Sequence, residues 1–424
     1  MINQKRFSSI KPWFIWGLAA FFFFAHYVVR VTPGHISEEL QAAFQTSKFE
    51  LGLLGTSFYV PYVLMQMPVG YLVDRYGSRL LLTIAVLICS LSCMIFANAS
   101  ILSTAMLSRV LLGFCSATAF IGALKLITVW FEPRKLALLV GLTQALGMVG
   151  AAVGGQMVPF LNDEFGWQKT FYFYGITFFV LSILIYSVVR NHPEGTPLHQ
   201  RSETNYDRIT TQQLLKVISS KYTWINALYA GLIYAPTDVM GEFWGKEFLR
   251  RIHQLDSYQA SSAISFLFFG WAVGGPCAGW LADKVGRRPV MILSAISGFV
   301  LLPIVFYVPN VPLYLISTIM FIYGFTNTGL IASYTAAGEL HDKSLGGFSM
   351  AIANMFSVLL GAALMPIIGK LLDWHASHHA TVNGILQDTV EDYQRSTYII
   401  PACLFLAILC ALFTKETLPP SKRA

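Results

Sequence analysis

Residues Gly70 to Arg79 read Gly-Tyr-Leu-Val-Asp-Arg-Tyr-Gly-Ser-Arg and form a short charged stretch between two long apolar runs. Residues Gly279 to Arg288 repeat the pattern as Gly-Trp-Leu-Ala-Asp-Lys-Val-Gly-Arg-Arg. We expect each copy to end one membrane helix and begin the next, because glycine permits the turn and the charged side chains pair at the membrane surface. The repeat predicts two halves of similar architecture.

The composition indicates a polytopic membrane protein. Hydrophobic residues make up 55% of the chain and charged residues 12%, with a mean hydropathy of +0.58, whereas soluble proteins have about 25% charged residues. Most of the 29 Lys and Arg residues fall in ends and loops predicted to share one side. By the positive-inside rule, both termini are cytoplasmic. The net charge of +7 therefore reflects orientation, and we expect no nucleic-acid partner.

Apolar runs long enough to cross about 30 Å of hydrocarbon occur on both sides of a polar central stretch. We predict an all-α membrane protein of twelve transmembrane helices, with a six-helix bundle at 1–190, a cytoplasmic loop at 191–220 and a second six-helix bundle at 221–424. The predicted spans lie near 12–32, 51–73, 80–98, 101–128, 136–160, 168–190, 222–242, 259–282, 289–308, 311–337, 346–372 and 396–414.

The repeated loop, the six-plus-six layout and the Arg109 to Gly113 run (Arg-Val-Leu-Leu-Gly) resemble the major facilitator superfamily across nearly the whole chain. The resemblance implies a monomeric secondary transporter of the inner membrane, with halves that rock about a central site. The Trp130 to Arg134 run and Thr32-Pro33 look like bacterial importers of organic anions, amino acids and other nutrients. The resemblance implies cytoplasmic gating or signature-loop roles for Gly70, Asp74, Arg75, Gly77, Arg79, Glu132, Arg134, Gly279, Asp283, Gly286, Arg287, Arg288 and Glu339.

Arg30 is the first candidate for substrate binding, because a charge inside a membrane costs at least about 2.5–3.5 kcal/mol and needs a function. It lies one helical turn after His26, and a guanidinium that faces a cavity binds carboxylate or phosphate with two hydrogen bonds. In anion-transporting branches of the superfamily, a first-helix Tyr-x-x-Arg run contacts substrate, which implies this role for Tyr27 and Arg30. The alternative is that Arg30 snorkels to the outer headgroups.

Lys125 and Arg109 lie in the fourth span. Lys125 matches the second cavity cation of anion-transporting relatives, although it could also snorkel at the cytoplasmic end. For Arg109 we favour a structural or proton-coupling role, because so deep an Arg must find carbonyls, a carboxylate or water. Related anion–proton symporters place acids where this chain has Val29 and the Cys115-Ser116 pair. Proton coupling must therefore use other residues.

The remaining titratable candidates for proton coupling are His26, which changes charge near neutral pH, and Asp238 in span seven. Asp238 fits equally well in the cavity or at its mouth near Glu242 and Lys246. The C-terminal half otherwise offers neutral hydrogen-bonding groups, some of which contact substrate while others join helices. These candidates are Tyr229, Tyr234, Tyr323, Asn327 and Asn354.

The sequence contains no Walker-type phosphate loop, so we expect a gradient to supply the energy and expect no cofactor. His375, His378 and His379 indicate an outward polar loop more than a metal site. We predict proton-coupled import of a small polar solute, either an anion with a carboxylate or phosphate group or an amino acid. The alternatives are transport of a larger amphipathic compound, such as a siderophore or drug, and a non-transporting sensor. No arrangement of catalytic residues supports an enzyme.

Overall fold

The structure is a computed structural model that describes residues 10–193, 211–342, 345–378 and 389–418, and all regular secondary structure among them is helical. We call residues 10–193 the N-terminal half and residues 211–418 the C-terminal half. The elements are α1 (Lys11–His35), α2 (Ser37–Phe44), α3 (Lys48–Tyr76), α4 (Ser78–Ala97), α5 (Leu102–Trp130), α6 (Pro133–Val188), α7 (Thr211–Ser219), α8 (Lys221–Pro236), a π-helical segment (Thr237–Phe243), α9 (Gly245–His253), α10 (Ser257–Val285), α11 (Arg287–Tyr307), α12 (Leu313–Asn327), α13 (Gly329–Glu339), α14 (Gly346–Ala376), α15 (Val390–Ser396) and α16 (Ile399–Phe413).

Nine helical stretches of the described chain are long and apolar enough to cross a membrane. The twelve segments predicted from the sequence all coincide with helices to within a few residues. The two counts differ because α6 counts once among the nine, while α3 and α8 are not among them. Gly166, at φ 80° and ψ 158°, divides α6 into the segments 133–165 and 167–188. The number of membrane crossings stays a prediction.

Capping boxes begin equivalent helices in the two halves. At the start of α3, the Ser47 hydroxyl accepts from the Glu50 amide, and the Glu50 carboxylate accepts from the Ser47 amide. At the start of α10, Asp256 and Gln259 exchange the same pair of hydrogen bonds. Each box satisfies amide groups that the first turn of a helix leaves unpaired. Ser47 and Asp256 have the same separation in sequence as Gly77 and Gly286, so the internal repeat includes the helix starts.

The second glycine of each repeated loop makes the turn between two helices. Gly77 (φ 83°) joins α3 to α4, and Gly286 (φ 109°) joins α10 to α11. A side chain that follows the last long helix of each half caps the turn. The Asn191 side chain accepts from the Arg79 amide at 2.8 Å, and Glu416 accepts from the amides after Gly286. We call the end of the bundle that contains both turns the loop end.

The last cation of each repeated loop contacts the end of the same half. Arg79 donates through Nε and Nη2 to the Tyr186 carbonyl at 3.0 and 2.7 Å. Arg288 donates to the Leu412 carbonyl at 2.5 Å. Both carbonyls lie near the C-terminus of a helix, where a cation interacts favourably with the helix dipole. In each half, an arginine of the repeated loop therefore binds a backbone carbonyl near the end of that half's last long helix.

The charged residues predicted to form gates also pair inside their own halves. Arg287 bonds to Asp283 at 2.5 Å and to Glu339 at 3.0 Å, all in the C-terminal half. Arg134 bonds to Glu132 at 3.0 Å in the N-terminal half. These contacts stabilise the loop end of each half without joining the two halves to each other.

The two halves pack tightly at the opposite end, which contains α2, α9 and the starts of α3 and α10. We call it the far end. A Cβ added at Gly52 of α3 would lie 2.6 Å from the Pro366 Cα of α14, and one added at Gly369 would lie 2.2 Å from the Lys48 carbonyl oxygen. A Cβ added at Gly155 of α6 would lie similarly close to the Ser265 hydroxyl oxygen of α10. Small residues thus allow the helices of the two halves to touch here.

We predict that Gly286→Ala destabilises the protein by about 1–3 kcal/mol, because its φ/ψ region is open essentially to glycine alone. The new Cβ would also lie 2.5 Å from a Glu416 carboxylate oxygen. The measurement is the midpoint of thermal unfolding of purified protein in detergent.

Gly279→Ala is the matched control, because the first glycine of the same loop has no atom within 4 Å of its Cβ position. It should change stability by less than about 0.5 kcal/mol. Equal midpoints for the two variants would contradict the different roles of the two glycines.

Candidate binding site between the two halves

A buried ion-pair cluster joins the two halves around Arg30 of α1. The Arg30 side chain is 2% exposed, its Nε donates to Glu242 Oε2 at 2.5 Å, and its Nη2 donates to Asp238 Oδ1 at 3.3 Å. Both acids belong to the C-terminal half, so these contacts cross the interface. The structure thus places the Arg30 side chain inside the protein, whereas snorkelling would require it to reach the protein surface.

Asp238 and Glu242 lie on the π-helical segment Thr237–Phe243, directly after Pro236. Proline has no amide hydrogen to donate to the preceding turn, which favours a local departure from α-helical hydrogen bonding. The wider turn presents two acids four residues apart to the same guanidinium. Gly34 of α1 packs on this backbone, since a Cβ there would lie 2.4 Å from the Glu242 carbonyl oxygen. The backbone of the segment is therefore held in place.

Asn327 holds the start of the π-helical segment. Its amide nitrogen donates to the Ile233 carbonyl at 2.9 Å, and its Oδ1 accepts from the Thr237 hydroxyl at 3.1 Å. Tyr323 adds its hydroxyl to this group at 3.2 Å from the Asn327 nitrogen. Two residues predicted to contact substrate thus bond to the helix that carries Asp238.

Aromatic rings surround the Arg30 guanidinium. Its central carbon lies 4.8 Å from the centre of the Tyr59 ring and 5.0 Å from that of Tyr27, with Phe58 and Tyr62 at 5.8 and 6.0 Å. Rings at these distances stabilise a desolvated cation through their negative faces. The Tyr59 hydroxyl also donates to Glu242 Oε2. Tyr27 was expected near Arg30, whereas the three rings from α3 were not.

His26 and Arg109 are buried beside this cage with unpartnered nitrogens. His26 Nδ1 is 3.0 Å from the Phe23 carbonyl, which assigns its proton to Nδ1 and leaves Nε2 without a partner in the described structure. Arg109 lies 4.8 Å from the Phe58 ring centre, and its Nε and Nη1 find no partner among the described residues. A buried polar atom without a partner is costly, so these atoms mark a place where an external group would be stabilising.

The other polar candidates of the C-terminal half have different surroundings. Tyr229 donates to the Met291 carbonyl at 2.8 Å inside that half, and the Tyr234 ring packs edge-on against Trp271. Asn354 of α14 reaches across the interface, because its nitrogen donates to Gln66 of α3 at 2.5 Å. Asn354 therefore links the halves on the loop-end side of the Arg30 cluster.

Lys125 bonds to Asp74 of the first repeated loop. The Nζ–Oδ1 distance is 2.6 Å, and the Lys125 side chain is 31% exposed. The two-cation cradle expected from Lys125 and Arg30 is thus not assembled here, since each cation pairs with a different carboxylate. Arg75 lies at the surface and donates to the Tyr71 hydroxyl at 2.9 Å.

A second cluster crosses the interface at the far end. Lys48 Nζ donates to the Tyr393 hydroxyl at 2.6 Å and lies 3.4 Å from Glu247, while the Tyr393 hydroxyl donates to Glu247 at 2.5 Å. The Asp373 carboxylate accepts from the amides of Lys48 and Phe49 at 3.1 and 2.9 Å, which places it at the N-terminus of α3. A carboxylate there satisfies unpaired amides and the helix dipole. The far end is closed by these contacts.

Sequence reasoning missed Glu242 and Tyr59 as members of the site. Glu242 was considered only as a neighbour at the mouth, although it lies four residues after Asp238 in an apolar stretch. That spacing was the available signal, because two acids one turn apart share a helix face. Nothing in the sequence distinguished Tyr59 from other aromatic residues of the second span.

A metal site has no support in the described residues, which contain no group of three or more His, Cys, Asp and Glu side chains that could hold an ion. His378 Nδ1 lies 2.7 Å from the Trp374 carbonyl, and His375 packs against the Trp374 ring. His379 lies outside the described residues.

The site contains two guanidinium groups, of Arg30 and Arg109, and two carboxylates, of Asp238 and Glu242, so its four formal charges cancel when all are ionised. An added anion would leave a net negative charge in a region of low dielectric, which is strongly unfavourable. A proton taken up by one carboxylate would restore neutrality.

Comparisons with known proteins identify similar chains. The family profile described as Major Facilitator Superfamily matches residues 14–366 and residues 244–424. The uncharacterized transporter YybO of Bacillus subtilis (strain 168) is 25% identical across 97% of this chain and 96% of its own. The membrane sensor protein UhpC of Escherichia coli (strain K12) is 25% identical across 88% of both chains. A probable hexose phosphate transport protein of Chlamydia trachomatis is 21% identical across 77% of this chain and 78% of its own.

A solved structure has the same fold. A bacterial homolog of the human lysosomal transporter Spinster, in an inward-facing and occupied conformation, superposes with a TM-score of 0.78. The match covers 98% of this chain and 99% of that one at 15% identity. At this identity the likeness concerns the fold alone.

We predict that Gly361→Ala disrupts the cluster and lowers stability by about 1–3 kcal/mol, because overpacking a buried site forces its neighbours to move. A Cβ at this position of α14 would lie 2.2 Å from Asp238 Oδ2. The measurement is the thermal unfolding midpoint of the purified variant.

Gly347→Ala on the same helix is the control, because no atom lies within 4 Å of its Cβ position. It should stay within about 0.5 kcal/mol of the wild type. If Gly361→Ala is as stable as this control, the close packing of α14 on Asp238 is not required.

Proposed function

The chain belongs to the major facilitator superfamily, and we propose that it is a secondary transporter of a small polar anion. The similar proteins reported above are named as transporters or, for UhpC, as a membrane sensor, and none of them is named as an enzyme. In this proposal the chain crosses the inner membrane twelve times with both termini in the cytoplasm. The bundles 1–190 and 221–424 flank the loop 191–220, and the protein acts as a monomer. The gradient of a coupled ion drives import by alternating access.

The observation that carries the proposal is the buried Arg30 guanidinium at the interface of the halves. A cation at this depth is costly and marks a substrate or ion pathway by default. Among the described residues, the carboxylates that Arg30 contacts both belong to the opposite half, so opening the interface on either side would free it for a solute. A guanidinium binds carboxylate and phosphate groups with directed hydrogen bonds.

The relatives support an anionic substrate in general terms. One is named as a probable hexose phosphate transport protein, and a hexose phosphate carries negative charge. The neutral sum of the four buried charges favours an anion that enters with a proton. An amino acid remains compatible, since it also presents a carboxylate to Arg30.

The packing of the halves supports alternating access. The contacts of Lys48, Asp373 and Gly369 close the far end, while the charged residues of the loop end form ion pairs inside each half. With the loop end in the cytoplasm, this arrangement corresponds to a protein closed toward the outside. A rocking motion would exchange these contacts for contacts at the loop end.

Asp238 is the proposed proton-coupling group. Its single contact with Arg30 is the longer of the two at 3.3 Å, and its Oδ2 is buried without a partner in the described structure. When a solute anion binds to Arg30, protonation of Asp238 keeps the buried charges neutral. His26 and Arg109 contribute to the field in which Asp238 titrates, because they line the same cage.

A non-transporting sensor is the second candidate function, because UhpC is named as a membrane sensor. A sensor would bind the same anions at Arg30 but give no uptake. Uptake by purified protein in proteoliposomes separates the two functions.

We predict that anions raise the thermal unfolding midpoint of the wild type and that Arg30→Ala abolishes the shift, because a ligand stabilises only a protein that binds it. The panel contains amino acids, di- and tricarboxylates, sugar phosphates and a ferric polycarboxylate siderophore. Arg395→Ala is the control, since this exposed Arg pairs with Glu391 one turn earlier on α15, outside the Arg30 cluster. Stabilisation by neutral or cationic compounds alone, or an unchanged shift in Arg30→Ala, would rule out the anion site.

We predict that Asp238→Asn removes the stimulation of uptake by external acid, so that the ratio of uptake rates at acidic and neutral external pH falls to about one. The probe is the panel anion with the largest thermal shift, measured in proteoliposomes. Exchange of labelled for unlabelled anion should survive, because it requires no net proton movement. If Asp238→Asn keeps the wild-type ratio of uptake rates at the two pH values, another group carries the proton. Glu391→Gln is the control for the loss of a surface carboxylate.

A further inference from the structure

We propose that the Glu242 carboxylate occupies, in the empty protein, the place that the carboxylate of the transported solute takes. The inference rests on the proposed anion site at Arg30 and narrows its substrate class to carboxylates. In the empty protein, the Glu242 carboxylate then takes the place of the solute carboxylate at Arg30, and the solute displaces it on binding. Glu242 therefore defines the kind of group that fits beside Arg30 and keeps the interface closed when no solute is bound.

The contacts of Glu242 are those expected of a bound carboxylate. Its Oε2 accepts from Arg30 Nε at 2.5 Å and from the Tyr59 hydroxyl, both in the N-terminal half. Its Oε1 is buried and has no hydrogen-bond partner in the described part of the chain. A side chain that served only to neutralise Arg30 would be more stable with both oxygens satisfied. The position beside Arg30 and Tyr59 therefore suits a carboxylate, but the Glu242 carboxylate leaves one of its own oxygens without a hydrogen bond.

The donors present suit a carboxylate better than a phosphate group. Glu242 Oε2 contacts one cation, Arg30, and one hydroxyl, that of Tyr59, within walls of aromatic rings. The Nε and Nη1 atoms of Arg109, the second cation of the site, make no hydrogen bond to this carboxylate in the described structure. A phosphate monoester carries about −1.5 to −2 charges at neutral pH and three strong acceptor oxygens. One cation and one hydroxyl would leave much of that charge unpaired in a desolvated place. A carboxylate of single charge matches what Glu242 now supplies.

The Glu242 side chain can rotate away from Arg30, whereas the Glu242 backbone cannot move with it. Its backbone is fixed, because Gly34 packs on the Glu242 carbonyl and Asn327 bonds to the start of the same segment. Replacement of Glu242 by a solute carboxylate leaves the charge bound to Arg30 unchanged. The extra negative charge is balanced by the proton that the proposed function assigns to Asp238.

The exchange of carboxylates has a consequence for the empty protein. Because Glu242 belongs to one half and Arg30 with Tyr59 to the other, their contact holds the halves together when no solute is present. Without Glu242, Asp238 at 3.3 Å is the one carboxylate that still contacts the buried Arg30 among the described residues, and opening of the interface to water becomes more favourable. An added carboxylate of the right size should then restore the closed state.

The test is chemical rescue of Glu242→Ala by acetate, because the atoms that this substitution removes correspond to one acetate ion. Amide hydrogen exchange followed by mass spectrometry reports closure directly. The amides of Lys48 and Phe49 bond to Asp373 of the other half and are protected by that contact. We expect these amides to exchange at least about threefold faster in Glu242→Ala than in the wild type, while α4 and α11 keep wild-type rates.

Sodium acetate should return the exchange of Glu242→Ala to the wild-type rate, whereas inorganic phosphate at equal ionic strength should not. Glu242→Gln is the matched control, because its amide fills the space and leaves no room for acetate. Wild-type exchange in Glu242→Ala without acetate, failure of acetate to rescue, equal rescue by phosphate, or an equal acetate effect on Glu242→Gln would each overturn the inference.

Glu242→Ser is a second variant for the case that Glu242→Ala does not fold, because it leaves a similar space for acetate. If both variants purify as folded protein only when acetate is present, the inference is supported; if neither folds with acetate, it is overturned. The outcome is separable from that of the proposed function. If anions stabilise the wild type through Arg30 but acetate does not rescue Glu242→Ala, this inference alone is refuted. If acetate rescues Glu242→Ala but no solute stabilises the wild type, the proposed transport of anions is refuted.

Discussion

A guanidinium buried between two membrane-embedded bundles must be paired, and the rest of this structure depends on how Arg30 meets that requirement. Its partners, Asp238 and Glu242, come from the opposite half, so the charge can be neutralised only when the halves approach each other. The same electrostatic constraint that makes Arg30 costly therefore makes the closed interface favourable. Under the proposed function, solute binding and closure of the interface are coupled because they use the same charge.

The local backbone follows from this constraint. Pro236 precedes a wider helical turn that presents both acids, and Gly34 and Gly361 allow neighbouring helices to pack against that turn. Asn327 bonds to the helix on either side of Pro236 and fixes its direction. Hydrogen-bonding residues that look like substrate ligands thus hold the acids in position. In the proposed function they affect solute binding indirectly, because they place the carboxylates that compete with a solute for Arg30.

Much of the fold could be predicted from the sequence, because hydrophobic length and local turn chemistry are properties of consecutive residues. The helices coincide with the apolar runs, and the two repeated loops form equivalent turns at Gly77 and Gly286. The capping boxes at Ser47 and Asp256 repeat with the same separation. Even the need for a partner at Arg30 followed from its depth in an apolar span, since the cost of a buried charge does not depend on the fold.

The sequence by itself thus determined the apolar helices, the internal repeat and the position of a cation within one of those helices. Only the tertiary structure decided which groups neutralise it, because Arg30 and Glu242 are more than two hundred residues apart and meet only when the two bundles pack. The same applies to Lys125, which pairs with Asp74 in this structure. Periodicity places a residue on a helix face, but the neighbour of that face is set by long-range packing.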